Sequence, residues 1–305
     1  MNVKYFLAIL SLSFLGIVHA QRYVNVHVDN DLYFGIDRYY SSGIFLSYGK
    51  ILKPKKDSLT TDRQRVTHQW TLGQEINTPS FRLTRDLSKM DYPYNGWLFL
   101  RFIEDRFKQP NFGVGWGIEV GTTGANASFA APLQNTYHKY ILNLKPLSWA
   151  YSIPQRFHLN LQTTLRWGLP INKKLKLVKE SKLQLGTYRT GGYSRIGMQF
   201  GNLEGLPFFG NRVEYYTSGS AFFLGNVFHY ILHDYSLTGS AFNPNSPFDF
   251  DANHFVNTFQ AGIVVYTKMW TGKVLFNSVS KRVVSERFNR HPYLTISLTK
   301  IITNL

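Results

Sequence analysis

The stretch FHLNLQTTLRW, residues 157–167, decides the fold. Phe157, Leu159, Leu161, Leu165 and Trp167 alternate with His158, Asn160, Gln162, Thr164 and Arg166. A period of two puts these sets on opposite faces of a β-strand, one apolar with aromatic ends, the other polar and partly charged. The same parity runs through YVNVHVD (23–29), YSRIGMQF (193–200) and PYLTISLTK (292–300). A soluble sandwich also alternates, but its strands are usually about five or six residues long. Here the runs approach roughly ten, the length a tilted strand needs to cross a bilayer. Turn-rich segments punctuate them: KPKKDSLTTD, RFKQPNF, GLPINKK, NLEGLPFFGN and NPNSPFDFD. Backbone groups in lipid must all be paired, so spanning strands have to close into a barrel. About twelve candidate strands, at roughly 24 residues for each strand and its connection, predict an all-β, antiparallel transmembrane β-barrel. Nothing indicates an internal repeat or a second domain.

The first twenty residues, MNVKYFLAILSLSFLGIVHA, carry one Lys, an apolar run and small residues at the end. They read as a secretory signal peptide cut before Gln21, leaving 21–305 as the barrel domain. A single membrane anchor would need about 20 apolar residues with different flanks. The rest of the chain holds no run of that length, which excludes a helical membrane protein. The sequence contains no cysteine, so an exported chain must draw stability from a large core or from a bilayer. Its 34 Lys and Arg against 18 Asp and Glu give a net charge of +16 and favour anionic partners. For an exported chain these are lipid headgroups and lipopolysaccharide phosphates rather than nucleic acid. The aromatic share of 16% beside a mean hydropathy of only −0.20 suits a sheet wet on one face and greasy on the other. The terminal LTKIITNL lacks the final aromatic residue often found in such barrels.

If the first strand rises from Tyr23, the connection from about Asn30 to Tyr39 lies on one rim. Strands near Gly43–Ile51, Gln69–Asn77, Gly96–Ile103 and Val114–Val120 then put the long segment Gly121–Pro154 on that same rim. The first of these connections lies in VDNDLYFGIDRYYSSG (28–43), which holds Asp29, Asn30, Asp31 and Asp37 in a chain with few acids. The second holds ANASFAAPLQNTYHKYILNL (125–144), where Pro132 suits a first helical position and Gln134 and His138 then share a helix face. Helix spacing alone is equally met by a polar pair facing solvent, and an Asn-Asp at a strand end by ordinary turn chemistry. Lys53, Lys55, Lys56 and the group Lys173, Lys174, Lys176 fall on the opposite rim and read as solvated charges.

Five motifs in order resemble the lipid A 3'-O-deacylases of the bacterial outer membrane, the LpxR family. They are NDLYFGIDRYYSSG from Asn30, GQEINTPS from Gly73, DYPYNGWLFL from Asp91, EVG followed by Q-x-x-x-H at Gln134 and His138, and HDYSLTGSAF from His233. The resemblance covers nearly the whole chain after residue 30. It implies a twelve-stranded barrel, a site between the barrel wall and a loop helix, and calcium-dependent hydrolysis of the 3'-linked acyloxyacyl ester. It assigns Asn30, Asp31 and Ser41 to the metal and Gln134 and His138 to catalysis. Ser41 stands where the family has Thr, which keeps a hydroxyl, and Leu144 stands where the family has a functional Glu.

Calcium takes six to eight oxygen ligands, the type that Asn30, Asp31 and Ser41 offer. His138 suits a general base near neutral pH, and Gln134 one turn earlier suits orienting water or donating to an oxyanion. Arg38 is a candidate phosphate contact, and Asp29 and Asp37 are expected to play supporting parts. Membrane lipids and lipopolysaccharide are the expected partners of a monomer. Two other functions fit a barrel: a pore lined by residues such as Asn160, Gln162 and Arg166, and a serine-type outer-membrane phospholipase. The second lacks a close His and Ser pairing in the sequence.

Overall fold

The computed structural model describes residues 21–52, 65–109, 111–210, 218–240 and 250–302. The expected signal peptide and the turn carrying Lys53, Lys55 and Lys56 lie outside the described residues. In the stretch 157–167 the side chains sort as the parity requires, but with solvent and core reversed relative to a soluble protein. Phe157 is 73% exposed and Leu161 52%, whereas Asn160, Gln162 and Arg166 are buried. An outward apolar face and a buried polar face satisfy both lipid outside and a hydrogen-bonded lumen inside.

Twelve antiparallel strands form a closed barrel in sequence order, with β1 pairing β12. They are β1 (Gln21–Asn30), β2 (Tyr39–Leu52), β3 (Arg65–Thr78), β4 (Asn95–Gln109), β5 (Phe112–Thr123), β6 (Phe157–Asn172), β7 (Leu175–Gly186), β8 (Arg189–Gly201), β9 (Gly219–Asp234), β10 (Phe255–Tyr266), β11 (Trp270–Ser280) and β12 (Arg290–Ile302). Closure is carried by the pairs from Arg22↔Ile302 to Asn30↔Leu294, so the missing terminal aromatic costs no strand pairing. Several strands run to 14–16 residues, longer than the sequence pattern, because their ends continue past the lipid-facing alternation into the rims. Both described ends, Gln21 and Ile302, lie at one rim; the segments 31–38, 79–94 and 124–156 rise from the other.

The lumen is crossed by paired charges and holds a cavity of about 310 Å³ lined by residues such as Glu75, Lys182, Arg189, His229 and Tyr293. Arg166 binds Glu180 and Asp105, each at 2.6 Å, Arg101 binds Glu119 at 2.6 Å, and Arg189 binds Glu75 at 2.9 Å. Pairing inside the barrel is what makes buried charge tolerable. Toward the terminal rim, residues 202–210 form part of the turn-rich connection from β8 to β9. Phe208 and Phe209 fold inward against Val178, Ala221, Phe223, Val264, Tyr266 and Leu275 and close that end. Lys176 departs from expectation. It is fully buried, and its ammonium donates to Asn111 Oδ1 and to the carbonyls of Leu203 and Gly205, pinning the inserted segment.

A site on the outer wall beneath a rim helix

One helix, Ala130–Tyr140, rises from the long connection after β5. Pro132 falls in its first turn, where a missing N–H breaks no intrahelical bond. Ala130, Ala131, Gln134 and His138 form its buried face, so the polar pair faces protein rather than solvent. The helix lies against the outer wall of β3 and β4. Along β3 the outward residues Trp70 and Leu72 are exposed, and then Gln74 and Ile76 are covered. Ile76 packs with Ala130, Ala131, Met90, Tyr94, Leu147 and Trp149, and Gln74 Nε2 donates to the Ser128 carbonyl at 2.5 Å. Gly96 on β4 permits this approach, since a Cβ there would collide with Ser128 Oγ and Ala130 Cβ. Asn135 ties the return segment to the helix, accepting from Leu147 N at 2.7 Å.

Across from this helix, β2 carries a bulge. Tyr40 faces Asn77 while Ser42 faces Ile76, leaving Ser41 as the extra residue. A bulge re-aims side chains at a strand end, and here it brings the Ser41 carbonyl to the backbone N–H of Asp31 at 3.2 Å. Asp31 is fully buried, and its Oδ2 accepts from Arg38 N at 2.9 Å. His291 Nε2, on β12, stands 3.8 Å from the same oxygen and donates to the Tyr40 carbonyl at 2.9 Å.

Asp37 joins the loop to the helix. Its Oδ2 lies 3.1 Å from His138 Nε2 and 3.1 Å from Arg82 Nη1, and its Oδ1 accepts from Gln134 Nε2 at 3.3 Å. Both partners of the His–Asp pair are buried. Sequence reasoning placed Asp37 in a supporting part and missed Arg82 and His291. Arg82 and His291 come from distant segments and carry no local pattern. The Gln134 amide nitrogen is taken by Asp37, so the oxygen, buried and free of hydrogen bonds, is what remains to act.

The structure brings Asp31, Ser41, Gln134 and His138 into one region with Asp37. Asn30 is adjacent, and its Oδ1 caps the turn by accepting from Leu32 N at 2.7 Å, the ordinary turn chemistry of an Asn at a strand end. Ser41 Oγ donates to the Ile76 carbonyl at 3.3 Å and faces no histidine, so it is not arranged as a nucleophile. The Arg38 guanidinium lies 3.7 Å over the Phe288 ring, with its Nε buried and unbonded. Leu144, at the position of the family Glu, is exposed.

Among the described residues, no three His, Cys, Asp or Glu side chains are gathered as a metal cage. The donors for a hard cation are of a different kind. Asp31 Oδ1 is buried without a hydrogen-bond partner, as are Asn77 Oδ1 and Thr78 Oγ1 on the neighbouring β3. Burial, with Asp37 adding like charge, pushes the Asp31 carboxyl up to about 9 against the Arg38 N–H bond. An ionised Asp31 therefore calls for a positive group at Oδ1, and oxygen donors of this kind fit calcium.

A membrane-spanning barrel that mounts a buried histidine–carboxylate pair on its outer wall, beneath a rim helix, defines an outer-membrane β-barrel with a wall-side polar centre. A family model described as "Outer membrane protein LpxR" matches residues 6–299, and the chain belongs to this family. Among solved structures, LpxR from Salmonella typhimurium superimposes with a TM-score of 0.72 at 16% identity, covering 91% of this chain and 99% of that one. The β domain of the Bordetella autotransporter BrkA gives a TM-score of 0.50 at 8% identity, over 93% and 99% of the two chains. No curated protein matches the sequence.

Proposed function

We propose that this protein is a lipid A deacylase, a carboxylic ester hydrolase that removes the 3'-linked acyloxyacyl group from lipopolysaccharide with calcium as cofactor. The observation that carries this reading is the His138–Asp37 pair, buried beneath the rim helix at the rim of a membrane barrel, where a membrane-anchored ester can reach it. In the tautomer that donates Nε2–H to Asp37, His138 keeps its lone pair on Nδ1, the atom without a protein partner. Nδ1 takes a proton from water as the water oxygen bonds to the ester carbonyl carbon. When the tetrahedral intermediate collapses, the sugar-side oxygen leaves and receives that proton, and the acyl chain departs as a carboxylic acid that gives its own proton to solvent. Asp37 stabilises the imidazolium formed between these steps, as the carboxylate of a catalytic triad does. Gln134 Oε1 accepts from the attacking water and orients it.

Asp31 through its unpartnered Oδ1, with the remaining lone pairs of the Asn30 side-chain oxygen and the Ser41 carbonyl, would hold calcium, which when bound would supply positive charge to the ester carbonyl oxygen. Arg82 and Arg38 flank the site and complement a phosphorylated substrate. The test is a mass comparison of lipid A from cells expressing the wild type and His138→Ala. Loss of an acyloxyacyl unit in the first and not the second is expected, and a chelator should suppress it. Equal loss with His138→Ala would remove the base assignment, and chelator-insensitive loss would remove the cation.

A further inference from the structure

The rim helix has a second face that the site does not use. At about 100° per residue, with the buried face centred on Gln134, Leu133, Tyr137 and Tyr140 fall together on one flank. Thr136 and Lys139 fall on the face opposite the buried one. The first flank is apolar and exposed, and Phe129, Ile141 and Leu144 extend it at both ends of the helix. Six large apolar side chains in one exposed patch are more than single scattered residues. The helix itself adjoins the lipid-facing wall. The helix covers Gln74 and Ile76, and the next outward residue of β3 is Leu72, on the lipid-facing wall and about 7 Å from Gln74 at the rise of a β-strand. A helix at the barrel rim, apolar along one flank and carrying lysine on the face turned away from the wall, has the pattern of a helix lying in the headgroup region. Lys139 Nζ sits 4.9 Å over the Tyr140 ring, where the charge can meet lipid phosphates while the ring stays below it.

We infer that the rim helix is an interfacial membrane helix, docked on its apolar flank by the lipids of the surrounding leaflet. Leu144 belongs to this docking surface. The bilayer thereby presses the helix onto β3 and β4 and serves as the outer boundary of the polar centre. This inference depends on the barrel spanning a membrane and not on the deacylase reading.

The chain has no cysteine, so single nitroxide labels can be placed without background. Leu133→Cys, Tyr137→Cys and Ile141→Cys, with Thr136→Cys and Lys139→Cys on the face turned away from the wall and Leu72→Cys on the wall, are labelled in the full-length protein. Each is reconstituted in vesicles of phosphatidylethanolamine and phosphatidylglycerol. Electron paramagnetic resonance then measures collision with oxygen, which partitions into lipid, and with a water-soluble nickel chelate. Labels at 133, 137 and 141 are expected to give oxygen-to-nickel ratios within about twofold of Leu72→Cys and several-fold above those at 136 and 139. Ratios at 137 and 141 equal to those at 139 would place the flank in water and overturn the inference. Exclusion of both reagents would mean a protein surface covers it, such as a second copy, and would overturn it equally. All these positions are exposed, and the three flank labels are independent reporters, so a folding defect in one leaves the comparison intact.

Discussion

Replacing Asp37 by Asn tests the centre at its junction. The carboxylate accepts from three side chains, His138, Arg82 and Gln134, at 3.1, 3.1 and 3.3 Å, and is buried with the histidine. Asparagine keeps the shape but has one oxygen, so at least one partner meets an N–H donor instead of an acceptor. It also removes the negative charge that offsets Arg82 and would offset the imidazolium. A charge-assisted hydrogen bond of this kind contributes about 1.5–3 kcal/mol. If 2–3 kcal/mol of that is expressed only in the transition state, the rate falls roughly 30- to 150-fold. The assay is release of the acyl product from lipid A in vesicles, with barrel integrity followed by heat-modifiable electrophoretic mobility. Asp37→Glu, which retains the charge on a longer arm, should recover part of the rate. A positioning role also predicts that Asp37→Asn alters the pH profile of kcat, since the stabilised form of His138 has lost its counter-charge. Full activity of Asp37→Asn with an unchanged profile would refute the argument.

Gly96→Val should displace the rim helix, since even a Cβ collides with Ser128 and Ala130; at least tenfold loss of activity is expected with the barrel intact by circular dichroism. Glu286, in the loop before β12, accepts from the backbone N–H groups of Arg282 and Val283, and burial pushes its carboxyl up to about 7. Because the folded value lies above the unfolded one, the neutral form is favoured in the fold. The loop therefore loses stability as pH rises from about 4.5 to 7, by at most about 3 kcal/mol. Glu286→Gln should slow amide exchange at residues 282 and 283 near pH 8 and change it little near pH 4. Phe208 and Phe209 close the lumen, so purified protein in a planar bilayer should show no steady single-channel conductance, and an open channel of stable amplitude would contradict the plug.

Period-two alternation along residues 157–167 and its counterparts was enough for a twelve-stranded membrane barrel, because lipid outside and a polar lumen inside impose opposite demands on successive residues of every strand. The same local chemistry brought Asn30, Asp31, Ser41, Gln134 and His138 to notice, and the helical spacing of the last two was right. Which side that pair faces was not local information. It depends on Gly96, Gln74 and Ile76, residues of the wall that receive the helix. The rank of Asp37 above its neighbour Asp29 was likewise invisible: Asp29 binds His27 and Thr295 inside the lumen, whereas Asp37 reaches across a hundred residues to His138. Lys176 was misread as solvated for the same reason, since its partners are carbonyls and an amide that only closure of the barrel brings together. Sequence alone thus set the element periods and the residue types available at each rim. The tertiary structure decided which of them meet, because burial, hydrogen-bond pairing and the lie of the helix on the wall are properties of surfaces assembled from distant strands.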